Sequence, residues 1–219
     1  MPRLRGAFFL SHGRSIELAA VVPMSAGATR SLARCIWHAW APVPPALSRQ
    51  AAQLAAQTPA SPGRVHGLGH FQDEGTWHVL SSCLPPRWAA ALRGQFEWYG
   101  CRGAGFHTDA HYPSVLFGAW HLAGPARDIV FADPWVRVAC ASSELVLFDP
   151  FQPHAVLDPG EERYRRDRYA EAAASVFLGF ELELTAAVRH EFGIGPPESG
   201  ALAISSATAV NAETGRIER

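Results

Sequence analysis

The chain of 219 residues contains no lysine, and all 19 of its basic residues are arginine. A lysine Schiff base and a phosphate-binding lysine are therefore excluded. An anion can be held by charge only through arginine, protonated histidine or a metal. Together with the many alanines, this usage is typical of a GC-rich genome.

Other features are also absent. The formal net charge is -1 and the pI is about 6.8, so the chain has no basic surplus for binding nucleic acid. No apolar run of about eighteen residues exists, and we expect no membrane span. The apolar run near the start of the chain is too short for a signal-peptide core. The four cysteines form no C-x-x-C pair and indicate neither a zinc site nor a disulfide framework. We expect them to be reduced and the protein to be cytoplasmic.

Composition and the spacing of apolar segments divide the chain into three parts. We predict a helical or irregular extension packed on a core over residues 1–64, the core domain over residues 65–197, and a flexible tail over residues 198–219. In the first part, IELAAVVP predicts a strand, and TRSLARCIWHAW has the spacing of a helix. A second helix is predicted over ALSRQAAQLAAQ, which ends at TPASPG.

The core domain predicts mainly β structure. TWHVLSSCL is interpreted as a strand, PPRWAAALRG as a short helix that begins at proline, and EERYRRDRYAEAAA as a helix or a long insertion. Seven further strands are predicted over QFEWYGC, SVLFGAWHL, DIVFAD, VRVACA, ELVLFD, HAVLD and ASVFLGFELEL. Many short strands at near-regular spacing indicate a β-barrel or a β-sandwich.

The stretch GFHTDAHYP places His107 and Asp109 two residues apart. Side chains at i and i+2 of a strand point to the same face, so the imidazole and the carboxylate would lie together. One interpretation is a pair of metal ligands. The other is a hydrogen-bonded polar pair at the end of a strand.

A third ligand is available at His154, which follows the strand ELVLF. The 44 residues between Asp109 and His154 (110 to 153) would hold about four strands of roughly 5–6 residues with their turns. In a jelly roll the chain can return and bring the two places together. Two histidines and one carboxylate on one face suit non-haem Fe(II) that activates O₂.

These residues resemble the Fe(II)- and 2-oxoglutarate-dependent dioxygenases over about residues 75 to 184. The resemblance lies in H-x-D at His107–Asp109, in the Val-, Leu- and Phe-rich strand before His154, and in Val156 two residues after it. It implies a double-stranded β-helix of the jelly-roll or cupin-like type, with the N-terminal helices flanking it. That fold agrees with the strand count.

The resemblance also implies the chemistry. His107, Asp109 and His154 would bind Fe(II), and 2-oxoglutarate would be the co-substrate. Succinate and CO₂ would be released as a substrate is oxidised. The halogenating members of the family replace the carboxylate by a small residue, so Asp109 favours hydroxylation.

The family commonly binds the far carboxylate of 2-oxoglutarate through an arginine about ten to fifteen positions after the distal histidine. Arg168 is our first candidate, followed by Arg163, and Tyr99 could hydrogen-bond a carboxylate. Neither arginine begins the last predicted strand, and the RYRRDR cluster also fits a solvated helix face. Arg165 and Arg166 fall in the same window, and Arg137 could approach from another wall.

Two readings of the function therefore stay open. The first is an Fe(II)- and 2-oxoglutarate-dependent oxygenase that acts on a small-molecule or peptide substrate. The second is a cupin-like metal- or ligand-binding protein without oxygenase turnover, which the lack of a strand-borne arginine favours. The charge balance argues against a nucleic-acid partner. The substrate and the oligomeric state are not encoded in any pattern we find.

Overall fold

The computed structural model describes residues 13–17, 31–132, 134–195 and 208–217. The strands are β1 (Gly13–Glu17), β2 (Cys35–Trp40), β3 (Val65–Phe71), β4 (Phe96–Cys101), β5 (Ala104–His107), β6 (Val115–Ala123), β7 (Arg127–Ala132), β8 (Trp135–Cys140), β9 (Glu144–Phe148), β10 (His154–Leu157) and β11 (Ser175–Glu183). The helices are α1 (Pro45–Gln57), α2 (Glu74–Cys83), α3 (Pro86–Ala89) and α4 (Ala186–Phe192).

The strands form two antiparallel sheets. The larger sheet has the order β1-β2-β9-β6-β11-β4-β3, and the smaller has the order β5-β10-β7-β8. Apolar side chains from both sheets meet in one buried cluster, which includes Ala119 and Phe177 from the larger sheet and Ile129 and Val156 from the smaller. The predicted fold class, a mainly β double-stranded β-helix with flanking helices, is confirmed.

A second core lies on the outer face of the larger sheet. Helix α1 packs there against β6 and β11, and its buried residues are Leu47 and Ala51. Strand β6 is therefore covered on both faces, which explains its nearly continuous apolar sequence. Trp120 packs in the outer core, while His121 faces the other sheet and is equally buried. The covers on the two faces of β6 explain why both residues are buried although they point in opposite directions.

Most predicted elements of the core domain are present. The seven strands from QFEWYGC to ASVFLGFELEL correspond to β4 and β6 to β11, and the helix over ALSRQAAQLAAQ corresponds to α1. The short helix that begins at proline is α3. Strand β3, which pairs with β4, was not predicted.

The helix predicted over TRSLARCIWHAW is wrong, because its described part forms β2 between β1 and β9. Ile36 and Trp37 are both buried, one on each face of the strand. A short segment that is apolar on both faces satisfies helical spacing and a buried strand equally well. The strand predicted over IELAAVVP lies mostly outside the described residues.

The strand predicted over TWHVLSSCL is also wrong, because these residues form α2. The side chain of Asp73 accepts a hydrogen bond of 2.7 Å from the N–H of Thr76, as a helix N-cap does. Thr76 and Leu80, four residues apart, then point into the core.

The segment EERYRRDRYAEAAA takes the form of an insertion, with one short 3-10 helix over Arg166–Tyr169. Tyr164 and Tyr169 stack with their ring centroids 5.2 Å apart and hold it to the core. Among the described residues, no helix is long and apolar enough to cross a membrane.

The last described residues contact the smaller sheet. In residues 208–217, Val210 forms a β-bridge with Ile217, and the carbonyl oxygen of Ala212 accepts a hydrogen bond of 2.8 Å from the N–H of Phe106. This C-terminal turn therefore covers the outer edge of β5. The division into three parts, including a flexible tail, stays a prediction.

Candidate metal centre

Two histidines meet at one end of the smaller sheet. His107 is the last residue of β5, and His154 is the first residue of β10. The two are register partners in the antiparallel pairing, and their ring centroids lie 4.5 Å apart. Strand pairing thus brings together two histidines that are far apart in the sequence.

Asp109 completes the cluster from the turn after β5. Its N–H donates a hydrogen bond of 2.8 Å to the carbonyl oxygen of Pro150, in the turn that leads to β10. Its carboxylate lies 3.9 Å from Nε2 of His107 and 3.5 Å from Nε2 of His154. One ligand atom from each residue lies within 4.8 Å of the other two, a spacing that a single metal ion can bridge.

The hydrogen bonds of the two histidines determine which nitrogen is available. Nδ1 of His107 lies 2.8 Å from the carbonyl oxygen of Gly105, and Nδ1 of His154 lies 2.8 Å from that of Gln152. A carbonyl oxygen only accepts, so each Nδ1 carries the proton. Each Nε2 is then left with its lone pair directed toward Asp109. Backbone carbonyls commonly orient metal-binding histidines in this way.

The electrostatics of the cluster suit a cation. Burial acts to raise the pKa of Asp109, but when the two imidazoles are protonated, a hydrogen bond from His154 and the charges of His154 and His107 outweigh burial and bring the pKa to about 2. Burial lowers the pKa of His107, and the neighbouring His154 lowers it further. Near neutral pH the carboxylate is charged and His107 is neutral, the protonation states that metal binding requires.

The cluster opens into a cavity of about 430 Å³ between the two sheets. Apolar side chains form most of its wall: Phe117, Ala119, Ile129, Phe148, Val156 and Phe177. Tyr99, Tyr112, His111 and Arg64 add polar groups. His111 is exposed at the rim, as expected for a surface histidine. A mostly apolar pocket with a few polar groups is typical of a small-molecule site.

The residues predicted to bind 2-oxoglutarate are placed differently from one another. Tyr99 lines the cavity, but Arg163 and Arg168 are not among its lining residues. Arg168 forms an ion pair with Glu161 and is 44% exposed, and Arg163 is exposed. Arg137 donates to Asp128 at 3.0 Å and is also not among the lining residues.

Of two arginines that we did not single out, Arg64 lines the cavity, whereas Arg127 is buried but is not among the lining residues. Arg64 lines the cavity just before β3 and is exposed. Arg127 begins β7 and is 2% exposed, with its guanidinium donating to Ser175 at 3.0 Å, to the Ala173 carbonyl at 2.8 Å and to Asp158. Alternation along β7 places Arg127 on the same face as Ile129 and Phe131, which pack between the sheets. The alternation was therefore the available signal, although arginine is rarely fully buried. No sequence signal indicates Arg64.

No family model matches the chain, and no curated protein matches it. Among solved structures, the chain is similar to a prolyl-4-hydroxylase from Pseudomonas putida. The identity is 15%, the match covers 69% of this chain and 93% of that chain, and the TM-score is 0.43. In its fold and in the H-x-D…H arrangement of His107, Asp109 and His154, the chain resembles the Fe(II)- and 2-oxoglutarate-dependent oxygenases. The function proposed below rests on the geometry of the site.

Proposed function

We propose that this chain is a hydroxylating oxygenase that uses Fe(II) and 2-oxoglutarate, with His107, Asp109 and His154 as the iron ligands. The observation that carries the proposal is the convergence of two Nε2 lone pairs and one ionised carboxylate at a mostly apolar cavity. This donor set suits a divalent metal ion and leaves positions open for small ligands.

The side chains of His107, Asp109 and His154 fit a bound Fe(II) ion. With 2-oxoglutarate and O₂ also bound, this iron centre would supply an oxidant for a C–H bond, and succinate and CO₂ would be released. The protein's part is to fix the ligands and to exclude water. The carbonyl oxygens of Gly105 and Gln152 orient the two imidazole rings. The hydrogen bond from the N–H of Asp109 to the Pro150 carbonyl fixes the backbone that carries the carboxylate.

The apolar wall supports the same function. Phe148 lies 4.7 Å from the ring of His154, centroid to centroid, and Ile129, Val156 and Phe177 line the cavity below. An apolar wall limits the access of water to the reacting groups and strengthens the electrostatic interactions between them. The proposed substrate is a small molecule or a peptide side chain that enters this cavity.

A second candidate function is a cupin-like protein that binds a metal or a small ligand without oxygenase turnover. It is favoured by the position of Arg163 and Arg168, which do not line the cavity. We still propose Arg168 or Arg163 as the residue that binds the far carboxylate of 2-oxoglutarate. For either to do so, the segment around Arg166–Tyr169 must move toward the cavity.

The test is anaerobic titration of purified protein with Fe(II) and then 2-oxoglutarate, followed by visible absorption. We expect a metal-to-ligand charge-transfer band that is lost in His107→Ala and in Asp109→Ala. His78→Ala is the matched control, because His78 lies on α2 with its side chain 66% exposed.

Each other result has a defined meaning. A band that persists in both triad variants would place the iron elsewhere and contradict the proposal. Iron binding without a band would support the cupin-like protein. A protein that binds no iron would leave His107, Asp109 and His154 as a hydrogen-bonded polar cluster.

A further inference from the structure

We propose that one wall of the cavity, formed by Tyr99, Tyr112 and Phe117 and backed by Glu97, selects substrates that carry a positively charged, alkylated amine. We call these four residues the aromatic wall. The inference rests on the proposed function only in taking the cavity as the place where the substrate binds.

The hydroxyl group of Tyr99 donates a hydrogen bond of 2.5 Å to Oε2 of Glu97, which lies two residues earlier on the same face of β4. A carboxylate only accepts, so the phenol hydrogen is committed to Glu97. The Tyr99 oxygen also shares a hydrogen bond with the hydroxyl of Tyr112, so toward the cavity Tyr99 presents its ring and a remaining oxygen lone pair. It therefore suits a donor or a cation and is poorly suited to the carboxylate of 2-oxoglutarate, for which we had considered it.

The charge of Glu97 has no arginine as an ion-pair partner among the described residues. Its carboxylate lies 3.6 Å from the imidazole of His70, whose side chain is 59% exposed. Glu181, on the neighbouring strand β11, is different because Arg93 contacts its carboxylate at 2.6 Å. The negative charge of Glu97 is thus left to act on Tyr99 and on the cavity behind it.

The rings of Tyr99, Tyr112 and Phe117 lie next to one another in the aromatic wall. Phe117 contacts Tyr99 edge-to-face at 5.7 Å and Tyr112 at 6.2 Å between ring centroids. The face of an aromatic ring is negative and attracts cations, especially where water is excluded. Burial raises the pKa of Tyr99, and the bond and charge of Glu97 raise it further, so the phenol stays neutral.

Two glycines leave the space that this arrangement needs. A Cβ at Gly179 would lie 2.3 Å from the Tyr99 ring and 3.1 Å from the Phe117 ring, and a Cβ at Gly67 would lie 2.4 Å from Oε1 of Glu97. Because neither glycine has a side chain, strands β11 and β3 can lie this close to the Tyr99 ring and to the Glu97 carboxylate.

One residue points to the opposite preference. Arg64 lines the cavity from its exposed rim and would attract an anion. The residues of the aromatic wall are partly buried, whereas Arg64 is exposed, and electrostatic interactions are stronger where water is excluded. We therefore assign the selectivity to the wall and leave anion binding at Arg64 as an outcome of the test.

The experiment compares three probes of nearly the same shape: choline, its neutral isostere 3,3-dimethylbutan-1-ol, and the anion 3,3-dimethylbutanoate. Affinities are measured by calorimetry on full-length protein loaded with Co(II), whose visible spectrum reports direct coordination of a probe to the metal. We expect choline to bind about three- to thirty-fold more tightly than the neutral isostere.

Two variants distinguish a contribution of the aromatic wall to choline binding from a general effect on folding. Glu97→Gln keeps the shape and removes the charge, and Tyr99→Phe keeps the ring and removes the hydroxyl. In both, we expect the affinity for choline to fall toward that of the neutral isostere, whose own affinity stays unchanged. Glu181→Gln is the matched control and should retain the preference for choline, because Arg93 already neutralises that carboxylate.

The inference is overturned if choline does not bind, if Glu97→Gln leaves the choline preference intact, or if the anion binds most tightly and loses affinity in Arg64→Gln. Failure of the proposed function is visible separately. If His107→Ala and Asp109→Ala leave the Co(II) spectrum unchanged while Glu97→Gln abolishes the choline preference, the aromatic wall stands and the metal site does not.

Discussion

At Gly179, strand β11 passes directly beneath the rings of Tyr99 and Phe117. A cavity between two packed sheets is shaped by such single positions, because inward side chains interdigitate closely and each fills a large share of the interior. The same holds for Gly118, where a Cβ would lie 2.1 Å from the ring of Phe180 on the other face of the sheet. Small residues in these strands therefore determine where large rings can lie.

We predict that Gly179→Ala destabilises the fold by about 1–3 kcal/mol, because the new methyl group must displace the Tyr99 ring from a close-packed wall. The measurement is the midpoint of urea unfolding. Gly94→Ala is the matched control, since a Cβ there meets nothing within 4 Å, and it should change stability by no more than about 0.5 kcal/mol. Equal unfolding midpoints for the two variants would contradict the close packing described for Gly179.

At the scale of elements, α2 and the C-terminal turn each depend on a small number of hydrogen bonds. The carboxylate of Asp73 accepts from both the N–H and the hydroxyl of Thr76, at 2.7 Å each. The C-terminal turn is tied to β5 through Phe106 and to the insertion through the N–H of Tyr164, which donates to Glu213 at 3.0 Å. Each element can therefore be weakened by a local change.

We predict that Asp73→Ala lowers the free energy of unfolding by about 1 kcal/mol through loss of the N-cap, whereas Asp73→Asn, which keeps an acceptor, costs less. The side-chain and backbone bonds of Thr76 lower the pKa of Asp73. A lowered folded-state pKa means that the charge stabilises the fold above the unfolded pKa of about 3.9, and that this stabilisation is lost as the pH falls through the folded value.

Urea unfolding at pH 7 and below pH 4 tests both parts of this prediction. The difference in stability between the native protein and Asp73→Asn should shrink at the acid end. A difference that stays constant across this range would show that the charge of Asp73 does not contribute.

We also predict that truncation after residue 207 accelerates hydrogen exchange of the Phe106 amide, since its acceptor is the carbonyl oxygen of Ala212. Mass spectrometry of the peptide that contains β5 measures this exchange. The peptide that contains β8, at the opposite edge of the smaller sheet, is the control and should exchange at its original rate. Unchanged exchange in β5 would mean that the C-terminal turn does not protect that edge.

At the scale of the whole molecule, the metal site would act as a cross-link. His107 ends β5, Asp109 lies in the turn that follows, and His154 begins β10, so a bound ion would cross-link two neighbouring strands at one end of the smaller sheet. An ion that binds only the folded state stabilises it by mass action.

We predict that a divalent metal at about 100 times its dissociation constant stabilises the fold by about 2.7 kcal/mol. Thermal unfolding with and without metal measures the effect. His154→Ala should abolish the increase, while His78→Ala, exposed on α2, should retain it. A metal-dependent increase that survives in His154→Ala would argue that the ion binds at another place.

The positions of most strands and the composition of the candidate site follow from local patterns. Alternation and turn residues indicate β4 and β6 to β11, and the two-residue spacing of His107 and Asp109 keeps the two side chains together where β5 ends. Patterns failed where two structures satisfy the same spacing, as in β2, or where a cap had to outweigh strand-like residues, as in α2.

What the sequence by itself determined is therefore the mainly β fold class, because strand alternation is a property of the chain, and the residue types of the candidate triad, because they are present in the motif and in the strand context of His154. Only the tertiary structure decided that Arg163 and Arg168 do not line the cavity while Arg64 does. It also decided that Gly67 and Gly179 make room for the Glu97–Tyr99 contact. The physical reason is that these relations join residues on different strands, whose register and distance are set by the packing of the two sheets.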